Sequence, residues 1–250
     1  MSKYIYCARN GVHIIDLVKT AICMNNAYKW ARNASKSGKR FLFVGTKKQA
    51  QPIVRELAET HKQHFVTDRW LGGMLTNLKT VKQRLKRLKE IEAMEEDGSI
   101  AGYVKQEQAS IRREKQRLVK NLGGIRHMDS TPDAMFVVDI KREHNAIAEA
   151  RKLRIPIVAL VDTNCDPELV DYPIAGNDDA IKAIQVIADA IGETITEAKG
   201  VQAAATDEQP AEAAPDAETA ETAPAPETTP ASAEEAPAEP AAEEAAPAEA

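Results

Sequence analysis

The sequence predicts an α/β protein with a mostly parallel sheet flanked by helices and an inserted antiparallel coiled-coil helical hairpin. Short apolar runs alternate with segments of helical periodicity, and uninterrupted runs are typical of strands buried on both faces of a parallel sheet. Residues 78–122 break this alternation with two helical patterns that have no strand between them. The chain therefore divides into an α/β domain at 1–77 and 123–200, the hairpin at 78–122 and a tail at 201–250.

The α/β domain is predicted from four strands and the helices between them. The strands are residues 41–44, 64–67, 134–138 and 157–161, and helical spacing marks residues 52–60 and 143–153. Such alternation implies right-handed crossovers and a sheet covered on both faces. We expect Asn177 to cap a last helix, with Asp178 and Asp179 in its first turn, where the helix dipole favours anions. Its predicted buried stripe is Ile181, Ile184, Ile187 and Ile191.

The hairpin is predicted from the spacing of its apolar residues. They step by three and four in the outgoing helix and by seven in the return helix, as in a coiled-coil seam. Asp97-Gly98 supplies the turn, and glycine pairs at 72–73 and 123–124 flank the insertion. The predicted seam comprises Leu78, Val81, Leu85, Leu88, Val104, Ile111, Leu118 and Leu122.

The net charge of −5 conceals two oppositely charged parts. Residues 201–250 hold 13 Asp or Glu and no Lys or Arg, which leaves residues 1–200 with a net charge of +8. Residues 79–126 carry 13 basic and 7 acidic residues, a net charge of +6. A basic stripe of this kind displaces phosphate counterions and binds RNA in a salt-dependent way. The alternative is a solvated coiled coil held by helix salt bridges.

Three groups of side chains are candidate RNA contacts. Lys47 and Lys48 follow a strand and open a helix, where backbone N–H groups also suit a phosphate. Arg69 begins the block 69–77, in which Trp70 would either stack on a base or be buried. We expect the apolar members of that block to be buried and Asn77 to cap a helix. The hairpin supplies Lys79, Lys82, Arg84, Lys86, Arg87, Arg112, Arg113, Lys115 and Arg117.

Enzymatic chemistry finds little support in the sequence. The loop after Gly45 lacks the second glycine and the hydroxyl residue of a nucleotide P-loop. Residues 162–167 lie where a doubly wound sheet binds its ligands. Asp139, Asp162 and Asp166 suggest a metal, yet Asp is also common in turns at strand ends. Cys165 has no predictable His partner. We predict no catalytic residue, no metal and no cofactor, and an enzyme of nucleotide or phosphate chemistry remains the rival hypothesis.

Composition excludes several classes of protein. No apolar run approaches the ~20 residues that cross a bilayer, and three separate cysteines argue against a disulfide framework and fit a reducing compartment. Residues 201–250 contain 8 of the 13 prolines and one branched aliphatic residue. Such a segment buries too little apolar surface to offset backbone ordering, so we predict a disordered acidic tail. The alternative is a partner-docking arm or an RNA mimic.

Several blocks in order resemble the bacterial-type ribosomal protein S2 family. They span residues 4–193 and include Phe43-Val44-Gly45-Thr46-Lys47-Lys48-Gln49-Ala50, Arg69-Trp70-Leu71-Gly72-Gly73-Met74-Leu75-Thr76-Asn77 and Asp162-Thr163-Asn164-Cys165-Asp166-Pro167. The remaining blocks are residues 10–17, 121–125, 132–139 with Glu143 and Glu149, and 176–180.

The resemblance implies a Rossmann-like or flavodoxin-like sheet with an inserted coiled-coil hairpin. It also implies a structural protein of the small ribosomal subunit, in the ribosomes of the cytoplasm or of an organelle. Such a protein contacts small-subunit ribosomal RNA and neighbouring ribosomal proteins where the head meets the body. Family members help to dock the large messenger-binding first protein of the subunit, and no enzymatic activity is implied. A free RNA-binding module is the third hypothesis.

Both ends of the sequence depart from the family pattern. Bacterial members have a leading segment with a Gly-Val-His-Phe-Gly-His-like stretch, and Met1 falls about where that segment ends. We therefore expect this chain to begin at an internal Met or to be truncated. The long acidic tail is not a general family feature, so the resemblance implies no role for it.

Overall fold

The computed structural model describes residues 1–207, with side chains described through Ala198. Its strands are β1 Ile5–Arg9, β2 Val12–Ile15, β3 Phe41–Val44, β4 His64–Val66, β5 Ala134–Val138, β6 Ile157–Val161 and β7 Tyr172–Ala175. The last five form one parallel sheet in the order β4-β3-β5-β6-β7. The first two pair with each other as an antiparallel hairpin.

The parallel sheet confirms the α/β prediction. Every residue of β3, β5 and β6 is buried, as their uninterrupted apolar runs predict. Four of the five strands lie where the sequence places them. The fifth, β7, was not predicted because Pro173 interrupts its apolar pattern. The β1–β2 hairpin was also missed, since most of its residues are exposed and give no buried pattern.

Helices cover both faces of the sheet. They are α1 Leu17–Lys36, α2 Gln51–Thr60, α3 Leu78–Glu96, α4 Lys105–Leu122, α5 His144–Lys152 and α6 Ile181–Asp207. On one face α1, α2 and α6 pack around the phenylalanines of β3 and β5. On the other face α5 and residues 70–75 pack against Met135 and Val137 of β5. Helix α1 was not predicted, because its polar residues weaken the helical pattern.

The last helix begins later than predicted. Asn177 Oδ1 accepts hydrogen bonds from the backbone N–H groups of Asp179 (2.8 Å) and Ala180 (3.2 Å), so the expected capping side chain is present. Asp178 and Asp179 nevertheless precede α6 instead of forming its first turn. Ile181 is 56% exposed and does not belong to the buried stripe, because this separate turn places it on the outer side. The other three predicted isoleucines are buried.

The end of α6 extends past the predicted limit of the α/β domain. The helix reaches Asp207, whereas the sequence places the domain boundary at residue 200. The rest of the predicted acidic tail, residues 208–250, lies outside the described residues. Its predicted disorder therefore stays a prediction.

Two consecutive helices, α3 and α4, occupy the predicted insertion. In α3 the residues Val81, Leu85, Leu88 and Ile91 are buried. Residues 97–104 join the helices and contain a short 3-10 helix, Ser99–Gly102. Gly98 adopts a φ of +70°, a conformation that glycine reaches without steric cost. The predicted seam position of Val104 is wrong: it precedes α4 and is 69% exposed, because the helix begins one residue later.

Candidate RNA-binding surface

The basic side chains of α3 lie on its solvent side. Apolar residues three and four apart turn to one side of a helix, so Val81, Leu85 and Leu88 are buried together. The Lys and Arg between them consequently face outward. Of the predicted contacts in α3, only Arg87 is half-buried among the described residues. The exposed ones are Lys79, Lys82, Arg84 and Lys86.

The return helix α4 presents a second set of cations. Arg112, Arg113 and Arg117 are exposed, and Lys115 is half-buried. Few residues of α4 are buried, so its long basic side chains dominate its surface. The predicted cations of both helices are therefore at the surface, as RNA contact requires.

Ion pairs engage two of the nine predicted cations of this helical pair. Arg87 lies 3.7 Å from Glu90 in the same helix and 3.5 Å from Glu114 in α4. Lys115 of α4 pairs with Glu95 of α3. The Arg87–Glu114 and Lys115–Glu95 pairs connect the two helices. Each pair is partly exposed and contributes only ~0.2–1 kcal/mol to stability.

Seven predicted cations are not engaged in this way. No hydrogen bond or ion pair within the described residues involves their side-chain nitrogens. An unpaired, hydrated cation loses no protein partner when it binds a phosphate, and it releases a counterion from the nucleic acid. These residues are Lys79, Lys82, Arg84, Lys86, Arg112, Arg113 and Arg117.

Arg69 projects from a loop that a single carboxylate holds in place. Glu149 of α5 accepts hydrogen bonds from Trp70 Nε1 (3.0 Å) and from the backbone N–H groups of Gly73 (2.8 Å), Leu75 (3.0 Å) and Thr76 (3.0 Å). Burial raises the pKa of Glu149, but these hydrogen bonds outweigh burial and leave its pKa below the ordinary value. The loop is therefore fixed to the sheet-covering helix.

The side chains of this loop divide, with one exception, as the sequence predicts. Trp70, Met74 and Leu75 are buried, which leaves no indole face for stacking on a base, and Leu71 is half-buried instead of buried. Arg69 is exposed. Asn77 is the N-cap of α3, but its Oδ1 accepts from the Thr80 hydroxyl (2.9 Å) instead of a backbone N–H. The role of Glu149 was not predicted, because the loop that donates its five hydrogen bonds lies more than 70 residues away in the chain.

Lys47 is held inside an acidic cluster. Its Nζ lies 2.7 Å from Asp178, 2.6 Å from Asp179 and 3.8 Å from Asp139. Burial lowers the pKa of Lys47, but the hydrogen bonds that its ammonium group donates to Asp178 and Asp179 outweigh burial and raise the pKa overall. Burial raises the pKa of Asp178 to about 6, although the hydrogen bond that it accepts from Lys47 lowers this pKa. The neighbouring Lys48 is exposed and has no such partner among the described residues.

The polar groups of the Gly45 loop are also used internally. Glu143, which is 2% exposed, accepts from the backbone N–H (3.1 Å) and the hydroxyl of Thr46. Arg142 Nε donates to the same hydroxyl at 2.8 Å. The backbone N–H of Thr46 therefore points at a protein carboxylate and is not available to a nucleotide phosphate. This arrangement disfavours the rival hypothesis of a phosphate-chemistry enzyme.

The aspartates at the strand ends serve turns, as the sequence analysis expected. Asp139 accepts from the backbone N–H groups of Lys141 and Arg142, both at 3.1 Å, and Asp166 accepts from that of Glu168. Oxygens of Asp162, Asp178 and Asp179 lie within 4.8 Å of one another, and Lys47 contacts two of these three residues.

The remaining features are the state of the Cys165 thiol and the apolar length of the helices. Burial raises the pKa of the Cys165 thiol, which disfavours the thiolate form that a cysteine nucleophile requires. None of the helices in the described part of the chain is long and apolar enough to cross a bilayer.

These features define an α/β protein with exposed cations on a helical pair and strand-end loops whose polar groups bind each other. The sequence model of ribosomal protein S2 matches residues 1–198. The chain is 59% identical over 199 residues to small ribosomal subunit protein uS2 of Prochlorococcus marinus strain AS9601, covering 80% of this chain and 85% of the relative. It is 57% identical over 203 residues to protein uS2c of Paulinella chromatophora, covering 81% and 85%. The chain belongs to the ribosomal protein S2 family.

Membership of this family confirms the predicted function class. The chain is a structural protein of the small ribosomal subunit and not an enzyme. Its location is the ribosome, as predicted.

Proposed function

We propose that this protein binds small-subunit ribosomal RNA through the helical pair α3–α4, with Lys48 and Arg69 as further contacts. The observation that carries the proposal is the set of seven exposed cations that have no protein partner in the described structure. Cations that stabilise a helix pair with carboxylates three or four residues away, whereas these seven are exposed and form no such pair within the described residues. Ribosomal RNA supplies the phosphates that complement them.

The proposal includes an antiparallel coiled coil formed by α3 and α4. The buried residues Val81, Leu85 and Leu88 of α3 step by four and three, which is the spacing of a coiled-coil seam. Two ion pairs, Arg87–Glu114 and Lys115–Glu95, connect the helices, and a connection of eight residues supports an antiparallel arrangement. The seam fixes the relative position of the basic faces of α3 and α4, so that both faces bind neighbouring phosphates.

Lys47 takes a less direct part in this proposal. Its ammonium group already binds Asp178 and Asp179, and exchanging them for a phosphate would leave the buried Asp178 carboxylate without a counter-charge. Lys47 therefore fixes the loop from which Lys48 extends toward RNA.

Neighbouring ribosomal proteins are the second class of partner, including the large messenger-binding first protein of the subunit. The β1–β2 hairpin and the start of α1 expose apolar side chains that no described residue covers. A protein neighbour would remove this surface from water, which stabilises an interface by about 25 cal/mol per Å². The most exposed residues are Tyr6, Val12, Leu17 and Val18.

Replacing four of the free cations tests the RNA-binding surface. The variant Lys82→Ala, Arg84→Ala, Arg112→Ala and Arg113→Ala removes charge without touching the buried residues. We expect weaker incorporation into small subunits during reconstitution, and a slope of log K against log salt reduced by about 3 units, since each phosphate contact contributes ~0.7–0.9. Sedimentation at increasing salt measures both quantities.

A matched variant separates a local effect from a loss of total charge. Lys141→Ala, Arg151→Ala, Lys152→Ala and Lys182→Ala remove the same charge from exposed positions outside the helical pair. This control should assemble with nearly the wild-type salt slope. If the slopes of both variants match that of the wild type, the helical pair faces protein or solvent instead. A chain that binds many RNAs without fixed stoichiometry per subunit would favour the free RNA-binding module.

A further inference from the structure

A second positively charged surface lies on α1, far from the α3–α4 pair in sequence. The helix Leu17–Lys36 contains four basic residues and no acidic residue. Lys19 is paired with Asp16, but Lys29 and Arg32 are exposed and have no hydrogen bond or ion pair within the described residues. Their charges therefore complement a polyanion and are not neutralised by the protein itself.

A groove of about 540 Å³ runs beside these cations, between α1 and the beginning of β7. Its volume is within the ~300–1,000 Å³ typical of ligand pockets. One stripe of α1 lines it at spacings of three and four: Cys23, Asn26, Trp30 and Asn33. Most helices turn apolar residues toward such a boundary, whereas α1 presents two amides and an indole.

The two side-chain amides that line this groove have no hydrogen-bond partner among the described residues. The side chains of Asn26 and Asn33 are exposed and form no hydrogen bond with described residues. Amides offer a donor and an acceptor together, which is the pattern that the edge of a nucleobase pairs with.

Aromatic rings form the wall beside the amides. The rings of Trp30 and Tyr172 stack with centroids 4.8 Å apart and planes 26° apart, and Phe41 meets Trp30 edge-on at 6.2 Å. Packing fixes this wall before any ligand arrives. A rigid aromatic wall with adjacent amides suits an unpaired base, because unstacked bases gain stacking contacts and hydrogen bonds together.

The acidic residue of the groove limits which part of a nucleotide enters. Asp171 lines the groove, and its Oδ2 accepts from the backbone N–H of Ile157 at 2.9 Å. This carboxylate repels a phosphate inside the groove. Lys29 also lines the groove, and Arg32 is exposed three residues further along α1, so the phosphates that flank an inserted base would meet these two cations.

We propose that the groove between α1 and β7 is a second RNA site, which takes an unpaired base between the aromatic wall and Asn26 and Asn33. Lys29 and Arg32 hold the adjoining phosphates. This inference rests on the proposed contact with ribosomal RNA but assigns it to a different surface. The ligand is single-stranded or looped RNA, since a duplex keeps its bases stacked and inaccessible to the groove.

Fluorescence anisotropy with the full chain tests this proposal. The probes are an end-labelled single-stranded RNA decamer of mixed sequence and an RNA duplex of equal charge. We expect Asn26→Ala with Asn33→Ala to weaken decamer binding about five- to tenfold and to leave duplex binding unchanged. Lys29→Gln with Arg32→Gln should reduce the decamer salt slope by about 1.4 units, at ~0.7 per phosphate.

Two controls make the outcome decisive. Arg151→Gln with Lys152→Gln removes equal charge from the end of α5 and should leave decamer binding unchanged. The four-alanine variant of α3–α4 is measured with the same probes, so that failure of that surface is seen separately from failure of the groove. Circular dichroism confirms that each variant keeps its helices.

The proposal is overturned if the amide variant binds the decamer with wild-type affinity. It is also overturned if ultraviolet crosslinking within assembled subunits joins the peptide around Trp30 to a protein and not to RNA. A crosslink from this peptide to an unpaired nucleotide supports it.

Discussion

At the scale of single residues, Glu149 accepts more hydrogen bonds than any other carboxylate in the described part of the chain. Its two oxygens accept from the indole of Trp70, the hydroxyl of Thr76 and three backbone N–H groups. We expect Glu149→Gln to lower the free energy of unfolding by about 2–4 kcal/mol, because the amide nitrogen of Gln would face backbone donors. Urea denaturation measures the change. Glu56→Gln, an exposed change on α2, is the control and should have little effect.

The same carboxylate makes stability depend on pH. Its pKa is lower in the folded than in the unfolded protein, so its contribution is present above the unfolded pKa. The contribution is lost as pH falls through the folded pKa. We expect the stability difference between wild type and Glu149→Gln to shrink as pH falls below ~4.5. A difference that stays constant down to pH 3 would mean that these hydrogen bonds do not depend on the charge.

At the scale of elements, the sequence predicted most reliably what is buried and periodic. The uninterrupted apolar runs of β3, β5 and β6 allow few alternatives, since such runs require burial on both faces. Helix α1 and strand β7 were not predicted. The polar residues of α1 and Pro173 of β7 obscure the hydrophobic periodicity, and both elements pack against partners that are remote in sequence. The exposure of Arg69 could be predicted from the sequence. The ion pairs of Lys47 could not, because the aspartates that bind it are more than 90 residues away in the chain.

The pair α3–α4 also permits a test of its own stability. Leu88 is 1% exposed, yet its packing lies outside the two clusters that cover the sheet. Leu88→Ala leaves a cavity and should cost about 2–5 kcal/mol. We expect hydrogen exchange to accelerate in α3 and α4 while the amides of β5 and β6 stay protected. Lys89→Ala, which changes an exposed neighbour, should leave exchange unaltered. Uniform acceleration across the sheet would show that both parts unfold as one unit.

At the scale of the whole molecule, charge is divided along the chain. Residues 208–250 contain 12 acidic residues and no basic residue, whereas residues 1–207 carry a net charge of +7. The overall value of −5 therefore describes neither part. We expect long-range repulsion between the acidic segment and RNA to weaken non-specific association without any specific contact, and salt to screen that repulsion.

Neutralising the acidic segment tests this division of charge in the full-length chain. We replace every Asp and Glu in residues 208–250 by Asn or Gln and measure binding to an arbitrary RNA duplex. Affinity should rise several-fold near 0.05 M salt and converge with that of the wild type near 1 M, where the Debye length is about 3 Å. A scrambled segment of unchanged composition should bind like the wild type, because net charge and not residue order sets a long-range field. If scrambling alters affinity as much as neutralisation does, the segment acts through a specific sequence, as the docking-arm alternative requires.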